Sequence, residues 1–347
     1  MNKFAKVICM MAVVALAFTS CKKNNENEKS FGFNNTKTEQ LTEIYDEDGG
    51  EKAYIDGNNC LQFEDLDELM LFNYCPGQGK KHLYNRYKYN EQGDGWWREE
   101  TPYMSGIDSL DDGGYFYAFY PAENVIYQKT SLNDNHARVT FRVNPTQDYR
   151  PVGNQLFVPK DAMYMAAKSD GGATHNMAGM YLDFKNICGI LSLKFYSPSG
   201  KKVTSIDVED KRFNVVGDIA CNIENIEVDP AVENSLRYWL DNYQDTESYN
   251  TAMYEYLRST DGIGYTIEDG SKKITLNCPA EGVELGKTKS KATRFLIVMR
   301  PLALLHGATI TVHFAGEPAV TPVEIDTDRD NRIMPNVVRN MTAYNVG

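Results

Sequence analysis

Two stretches of this chain alternate strictly between apolar and polar residues, and that period constrains the fold more than any other feature. Along residues 137–143, Ala137, Val139, Phe141 and Val143 fall on one side, and Arg138, Thr140 and Arg142 on the other. Along residues 308–314, Ala308, Ile310, Val312 and Phe314 share one side. A repeat of two is that of a strand buried on one face, and a helix would scatter those apolar residues around its surface. The same period recurs at Met180, Leu182 and Phe184 against Tyr181 and Asp183. It recurs again at Leu191, Leu193 and Phe195 against Ser192, Lys194 and Tyr196.

Shorter strand candidates cover residues 69–74, 84–89, 203–208, 274–276 and 295–299, together with the aromatic run Tyr115-Phe116-Tyr117-Ala118-Phe119-Tyr120. Turn residues punctuate them: Gly93-Asp94-Gly95 before Trp96-Trp97, Gly113-Gly114 before Tyr115, Pro121 after Tyr120, and Pro198-Ser199-Gly200. The 22 tyrosines suit strands, which favour aromatic side chains. Only residues 231–258 read as a candidate helix, with Leu236, Leu240 and Tyr243 spaced by four and three. Short, alternating, turn-bounded strands argue for an all-β protein of sandwiches rather than a barrel or an α/β fold. Ser, Asp, Gly and Thr cluster around residues 168–176, where a domain boundary is expected. The expected organisation is an N-terminal β-sandwich over residues 31–172 and a C-terminal one over 173–347, the second carrying the short helical insertion.

The first residues set the compartment. Lys3 and Lys6 precede an apolar run over residues 7–18, followed by Thr19, Ser20 and Cys21. A charged start, a short apolar stretch and small residues before a cleavage point make a secretory signal over residues 1–20. The apolar run is well short of the roughly 20 residues that a spanning helix needs. Cysteine at the cut, between Ser20 and Cys21, is the lipoprotein arrangement, in which the thiol takes a diacylglyceryl group. Phe18 stands where Leu is usual, and the alternative is an ordinary signal peptide that contains a cysteine. Residues 21–30 then form a lipidated N-terminus and a flexible, charged spacer with nothing to bury.

Removing the leader takes the net charge from −12 to −14. That balance disfavours nucleic acid and anionic headgroups, so the lipid rather than surface charge holds the chain to a membrane. Beyond Cys9 and Cys21 there are five cysteines, an odd and widely spaced set without a C-x-x-C pair. These read as buried small hydrophobes, with Cys60 and Cys75 the one pair near enough in sequence to bridge.

Catalytic motifs are missing. The five histidines, His82, His136, His175, His306 and His313, show no H-E-x-x-H and no i, i+4 pair. No G-x-S-x-G elbow, phosphate loop or dinucleotide fingerprint is present. The 48 acidic residues offer many carboxylate pairs, none singled out as a glycosidase couple. Asp326, Asp328 and Asp330 begin like a calcium loop, but Asn331 replaces the turn glycine and Val337 cannot coordinate at position twelve. That segment reads as a solvated acidic loop. No cofactor, metal site or enzymatic activity is expected. Asp108-Ser109-Leu110 resembles an acceptor used for O-glycosylation by a group of Gram-negative anaerobes, making Ser109 a candidate site.

Several segments together resemble the fimbrillin superfamily, the subunits of type V pili and related surface lipoproteins. The resemblance runs in order through residues 69–74, Trp96-Trp97, residues 115–121, DAMYMAA at 161–167, LDFKNICGILSLKF at 182–195, ITLNCP at 274–279, FLIVMRP at 295–301 and residues 307–314. It implies two transthyretin-like β-sandwiches in tandem, no catalysis, and assembly or adhesion at the outer membrane. In stalk subunits of that family a protease cuts after an arginine and removes the first strand, and a neighbour's strand fills the groove by β-augmentation. This chain departs from that pattern, because the first arginine after Cys21 is Arg86. Either another protease acts, at Lys29 or Lys37, or the subunit keeps its lipid and serves as anchor or accessory protein. Residues 337–346 leave little extension to donate. Met341, Ala343 and Asn345 alternate with Thr342, Tyr344 and Val346, as a final strand or a donor would. The expected partners are other fimbrial subunits by strand exchange, the membrane through the lipid, and a surface receptor or glycan. The alternative function is a surface glycan-binding lipoprotein using Trp96, Trp97 and tyrosines as a stacking platform.

Overall fold

Strands account for nearly all of the regular structure. The computed structural model describes residues 32–33, 36–38, 42–45, 63, 66–74, 83–90, 96–99, 115–133, 136–152, 155–158, 162–169, 180–211, 214–222, 266–304, 308–318, 323–324 and 332–347. All of them belong to one contact unit, Gly32–Gly347. The leader, the spacer, the candidate helix over 231–258 and the acidic loop at 326–331 lie outside the described residues.

In chain order the first strands are β1 (Gly32–Phe33), β2 (Thr36–Thr38), β3 (Thr42–Tyr45), β4 (Glu68–Tyr74), β5 (Leu83–Asn90), β6 (Trp96–Glu99) and β7 (Tyr115–Tyr120). Next come β8 (Ser131–Asn133), β9 (His136–Val143), β10 (Thr146–Asp148), a hairpin of β11 (Arg150–Val152) and β12 (Gln155–Phe157), and β13 (Met165–Lys168). The second half supplies β14 (Leu182–Asn186), β15 (Gly189–Tyr196), β16 (Lys202–Asp210), β17 (Val216–Asn222), β18 (Thr266–Ser271), β19 (Lys273–Asn277), β20 (Val283–Glu284) and β21 (Thr293–Met299). The chain ends with β22 (Leu302–Ala303), β23 (Ala308–Phe314), β24 (Val323–Glu324), β25 (Arg332–Ile333), β26 (Val337–Asn340) and β27 (Tyr344–Asn345). Among the described residues the only helical turns are 3-10 turns such as Ala122–Asn124 and Tyr127–Lys129. The protein is all-β.

The largest sheet runs β1-β6-β5-β4-β7-β13-β14-β2. Its two edges, β1 and β2, are consecutive in the chain and only two residues apart. Three residue steps from Phe33 to Thr36 reach at most about 11 Å. A flat sheet would set strands seven places apart about 34 Å from each other, at roughly 4.8 Å per strand. The sheet therefore curls until its edges nearly meet. Phe63 sits in the curl, its ring 5.0 Å from Trp97 on β6, 5.3 Å from Tyr120 on β7 and 5.3 Å from Phe184 on β14. A second sheet, β18-β17-β9-β8, packs on this one where Phe141 meets Phe119 edge-on at 6.0 Å.

Two further sheets follow. One runs β21-β15-β26-β3, with β27 also on β15; the other runs β10-β19-β16-β23-β24, with β20 also on β16. Gln147 of β10 ties them together. Its side-chain Nε2 donates to Val298 O at 2.7 Å, and its Oε1 accepts from Val298 N at 2.9 Å. A buried amide thus serves as one rung for the edge strand β21, whose polar backbone groups would otherwise be costly to bury. Pairing crosses the expected boundary at residues 172–173 in five places: β2 with β14, β3 with β26, β9 with β17, β10 with β19 and β13 with β14.

The alternation read from sequence places the core. On β23 the burial alternates without exception, with Ala308, Ile310, Val312 and Phe314 inside. On β9, Val139, Phe141 and Val143 are fully buried and Arg142 is exposed. Thr140 departs from its expected solvent face. The turns over 122–129 cover it, Ile126 N donating to Thr140 O and Thr140 Oγ1 donating to Lys129 O. Ser192 departs likewise, because β26 lies alongside and the Arg294 guanidinium donates to its hydroxyl at 2.7 Å. Gly189 opens β15 where a Cβ would stand 2.3 Å from Met334 O, so only glycine lets the turn into β26 pack there.

Candidate functional site

The first strands are short, two to four residues each. β1 pairs antiparallel with β6 through Gly32–Arg98 and Phe33–Trp97. β2 pairs parallel with β14, setting Thr36, Lys37 and Thr38 beside Leu182, Asp183 and Phe184. β3 pairs parallel with β26, from Thr42 beside Val337 to Tyr45 beside Asn340. One stretch of fourteen residues, from Gly32 to Tyr45, thus adds an edge strand at three places on two sheets. On β2 only Thr38 is buried, while Lys37 is exposed. Each of the three is held to its sheet by a backbone ladder, the physical basis of strand addition.

Beneath β1 lies an aromatic cluster. Trp97, paired with Phe33, is fully buried, and its ring lies 5.0 Å from those of Phe63 and Tyr89. The backbones of both tryptophans belong to β6, and the Trp97 ring is in the core and is no platform for a sugar. The edge the first segment covers is therefore backed by aromatic rings.

The C-terminal segment behaves differently along its length. β26 is the inner strand between β15 and β3, with Val338, Arg339 and Asn340 buried. Arg294 Nη2 donates to Asn340 Oδ1 at 3.0 Å, and Asn336, at φ 58°, turns the chain into β26 while its Oδ1 accepts from Asn186 Nδ2 at 2.7 Å. Met341 N still donates to Ser192 O at 2.9 Å, residues 342–343 break the ladder, and β27 resumes on β15 with both its side chains exposed. Val346 is buried and donates its N–H to Tyr196 O at 3.0 Å, and Ser197 Oγ and Ser199 Oγ both donate to Gly347 O. The alternating tail is thus a final strand of this fold, in two pieces.

Two charged clusters, around Asp218 and Asp207, link neighbouring elements of the sheets. Asp218 on β17 is buried and accepts from Lys129 Nζ at 2.9 Å and from Arg142 Nε at 2.9 Å. Burial alone would raise its carboxyl, but the hydrogen bonds and charges of Arg142 and Lys129 outweigh that and hold it below the ordinary range. Asp207 on β16 accepts from Thr275 Oγ1 at 2.6 Å and pairs with His313 Nε2 at 3.0 Å and Lys273 Nζ at 3.4 Å. Burial again pulls upward and is outweighed by these partners. His313 is thereby engaged by a carboxylate, and no group of three metal-ligating side chains occurs among the described residues.

Cys188 is buried and Cys278 half-buried, and neither is in a disulfide. Burial pushes the Cys278 thiol up to about 12. Ser20, Cys21, Ser109, Cys60, Cys75 and the Asp326-to-Asn331 loop lie outside the described residues, as do His82, His175 and His306. Sequence reading missed the short strands β1–β3 and the rung made by Gln147. Two- to four-residue strands carry no readable period, and a single buried glutamine has no local signature.

No helix among the described residues is long and apolar enough to cross a membrane. No protein-family model matches the chain. No curated protein matches it in sequence either. Solved structures do. A candidate cell adhesion protein from Bacteroides uniformis has a TM-score of 0.42 and 12% identity, over 81% of this chain and 88% of that one. A fimbrial protein from Bacteroides ovatus has a TM-score of 0.40 and 11% identity, over 91% of this chain and 50% of that one. The tip fimbrial protein Mfa3 from Porphyromonas gingivalis has a TM-score of 0.34 and 8% identity, over 80% of this chain and 89% of that one.

Proposed function

We propose that this chain is a fimbrillin-like surface lipoprotein without catalytic activity, working as a fimbrial subunit or as an anchor or accessory adhesin that assembles by β-strand exchange. The supporting observation is the placement of residues 32–45, whose strands pair through the backbone with the edges of β6, β14 and β26. An extended segment of another subunit could occupy those edges with the same hydrogen bonds, and its side chains would meet the aromatic rings behind β6. The leader, the lipid on Cys21 and the outer-membrane location belong to the same reading, as do glycosylation at Ser109 and two tandem sandwiches that share strands across residue 172. Without arginine between Cys21 and Arg86, release of β1 and the start of β2 falls to cleavage at a lysine, and Lys37 is exposed on β2. The glycan-binding alternative loses Trp97 to the core, which removes one of the two tryptophans of its aromatic platform.

The test is limited digestion of the full chain with a lysine-specific protease, followed by a synthetic peptide spanning residues 32–45. Strand exchange predicts that the cut protein oligomerises and that the peptide competes with assembly. A cut protein that stays monomeric, ignores the peptide and never occurs in sheared surface filaments would sink the reading. N-terminal sequence and mass of the protein from cells then separate a retained, lipidated Cys21 from a new start after Lys29 or Lys37.

A further inference from the structure

This chain carries a marked local reversal of its charge. Between Glu284 and Glu317 there is no carboxylate, while Lys287, Lys289, Lys291, Arg294 and Arg300 fall in that interval, in a chain whose net charge is −12. The three lysines alternate with Thr288 and Ser290, and all five residues are exposed. None of the three lysines forms an ion pair among the described residues.

The loop that presents them is fixed. Lys291 N donates to Thr288 O and Ala292 N to Lys289 O, closing the 3-10 turn Lys289–Lys291. Gly286 N donates to Thr293 Oγ1 at 3.0 Å, and Gly286 O accepts from Ser197 N at 2.9 Å, so the base is tied to β15 and β21. A Cβ on Gly286 would overlap Lys291 O at 1.6 Å, so the loop closes tightly upon its own glycine. The Thr288 and Ser290 hydroxyls lie 3.2 Å apart, exposed beside the ammoniums. Three unneutralised like charges held within five residues repel one another, and a fold gains nothing from that arrangement by itself.

We propose that residues 287–291 bind the sulfate or phosphate esters of an anionic polysaccharide. Three ammonium groups and two hydroxyls are donors only or donors first, the set that fits ester oxygens, and short lysine-rich runs are a recurring polyanion patch. A protein partner fits poorly, because protein interfaces are centred on apolar and aromatic anchors and depleted of lysine, and this loop offers neither Tyr, Trp nor Leu. A lipid surface fits poorly for the same reason, since nothing apolar is available for insertion. The acidic remainder of the chain does not forbid it: at physiological salt the screening length is about 8 Å, so the loop's own charge governs contact at close range. The site is independent of strand exchange, being remote in sequence from residues 32–45 and using side chains rather than backbone edges.

The experiment compares the full chain with Lys287→Ser/Lys289→Ser/Lys291→Ser, with the triple Lys→Arg variant, and with Lys211→Ser/Lys272→Ser as a control on bulk charge. Binding to heparin is read against salt, alongside phosphatidylglycerol vesicles and polyglutamate. The proposal expects wild-type retention on heparin, and roughly a hundredfold weaker binding for the triple serine variant, at about fivefold per cation near a polyanionic surface. The salt slope should fall by about two to three, and the arginine variant and the control should retain binding. Equal heparin binding by the triple serine variant overturns it, as does binding to vesicles or polyglutamate with none to heparin. Thermal melting of each variant checks that the fold is intact, and strand-exchange assays should be unaffected by the substitutions.

Discussion

Asp218 offers the most direct check on how the second sheet is fastened. Its side chain is 2% exposed, while those of Lys129 and Arg142 are 34% and 59% exposed. Replacing it by Asn keeps the volume and removes the charge, turning an amide NH2 toward two cations. Breaking an enclosed pair costs about 3–5 kcal/mol, because the orphaned charge cannot reach water. Here both orphans can, so the smaller figure for lost charge-assisted hydrogen bonds applies, and about 2 kcal/mol is expected at pH 7. Over the unit Gly32–Gly347, at roughly 2.1 cal/mol/K per residue, that is a fall in Tm of about 3 °C. The effect depends on pH in a fixed sense. The Asp218 carboxyl is held below its unfolded value of about 3.9, so its contribution is complete above that pH and disappears as pH falls through the folded value. The gap between wild type and Asp218→Asn should therefore be full from pH 5 to 7 and close on acidification below about pH 3.9. Urea unfolding followed by fluorescence across that range measures it, and a cycle with Arg142→Ala should show coupling above about 0.5 kcal/mol. A variant within about 0.5 kcal/mol of wild type at pH 7, or a gap that does not narrow at all as the pH falls below about 3.9, refutes this account of the triad.

Two further outcomes are expected. Phe141 is fully buried against Phe119 and Tyr164 where two sheets meet, so Phe141→Ala should lose about 3–5 kcal/mol in urea unfolding; a loss under about 1 kcal/mol would mean the sheets are not interlocked there. Cys278, with its thiol pushed up to about 12, should resist iodoacetamide at pH 8, where only about one molecule in ten thousand is thiolate; alkylation in the folded protein as fast as in urea, read by mass, contradicts its burial.

Much of the core was legible because a strand that is buried on one face writes its orientation every second residue. Leu182 and Phe184, Leu191 and Leu193, Ile310 and Val312 could be assigned to the interior from spacing alone, and all are buried. The misassigned positions share one cause. Thr140 and Ser192 sit on the polar face of their strands, yet a turn covers one and a parallel strand lies alongside the other. Short polar side chains suit solvent and a hydrogen-bonded interior equally well, so sequence cannot separate the two. The candidate site was half legible: the arginine-free stretch flagged the first segment, but its attachment at three edges was invisible.

By itself the sequence determined an all-β protein of acidic composition with no catalytic motif, because periodicity and charge are written locally. Tertiary structure alone decided which strands pair. β2 lies beside β14, and β3 beside β26, across gaps of well over a hundred residues. Backbone hydrogen bonds carry no residue code, so two to four residues can join any open edge. Only the curling of the largest sheet, which brings its edges within reach of one short segment, selects the edges that residues 32–38 occupy.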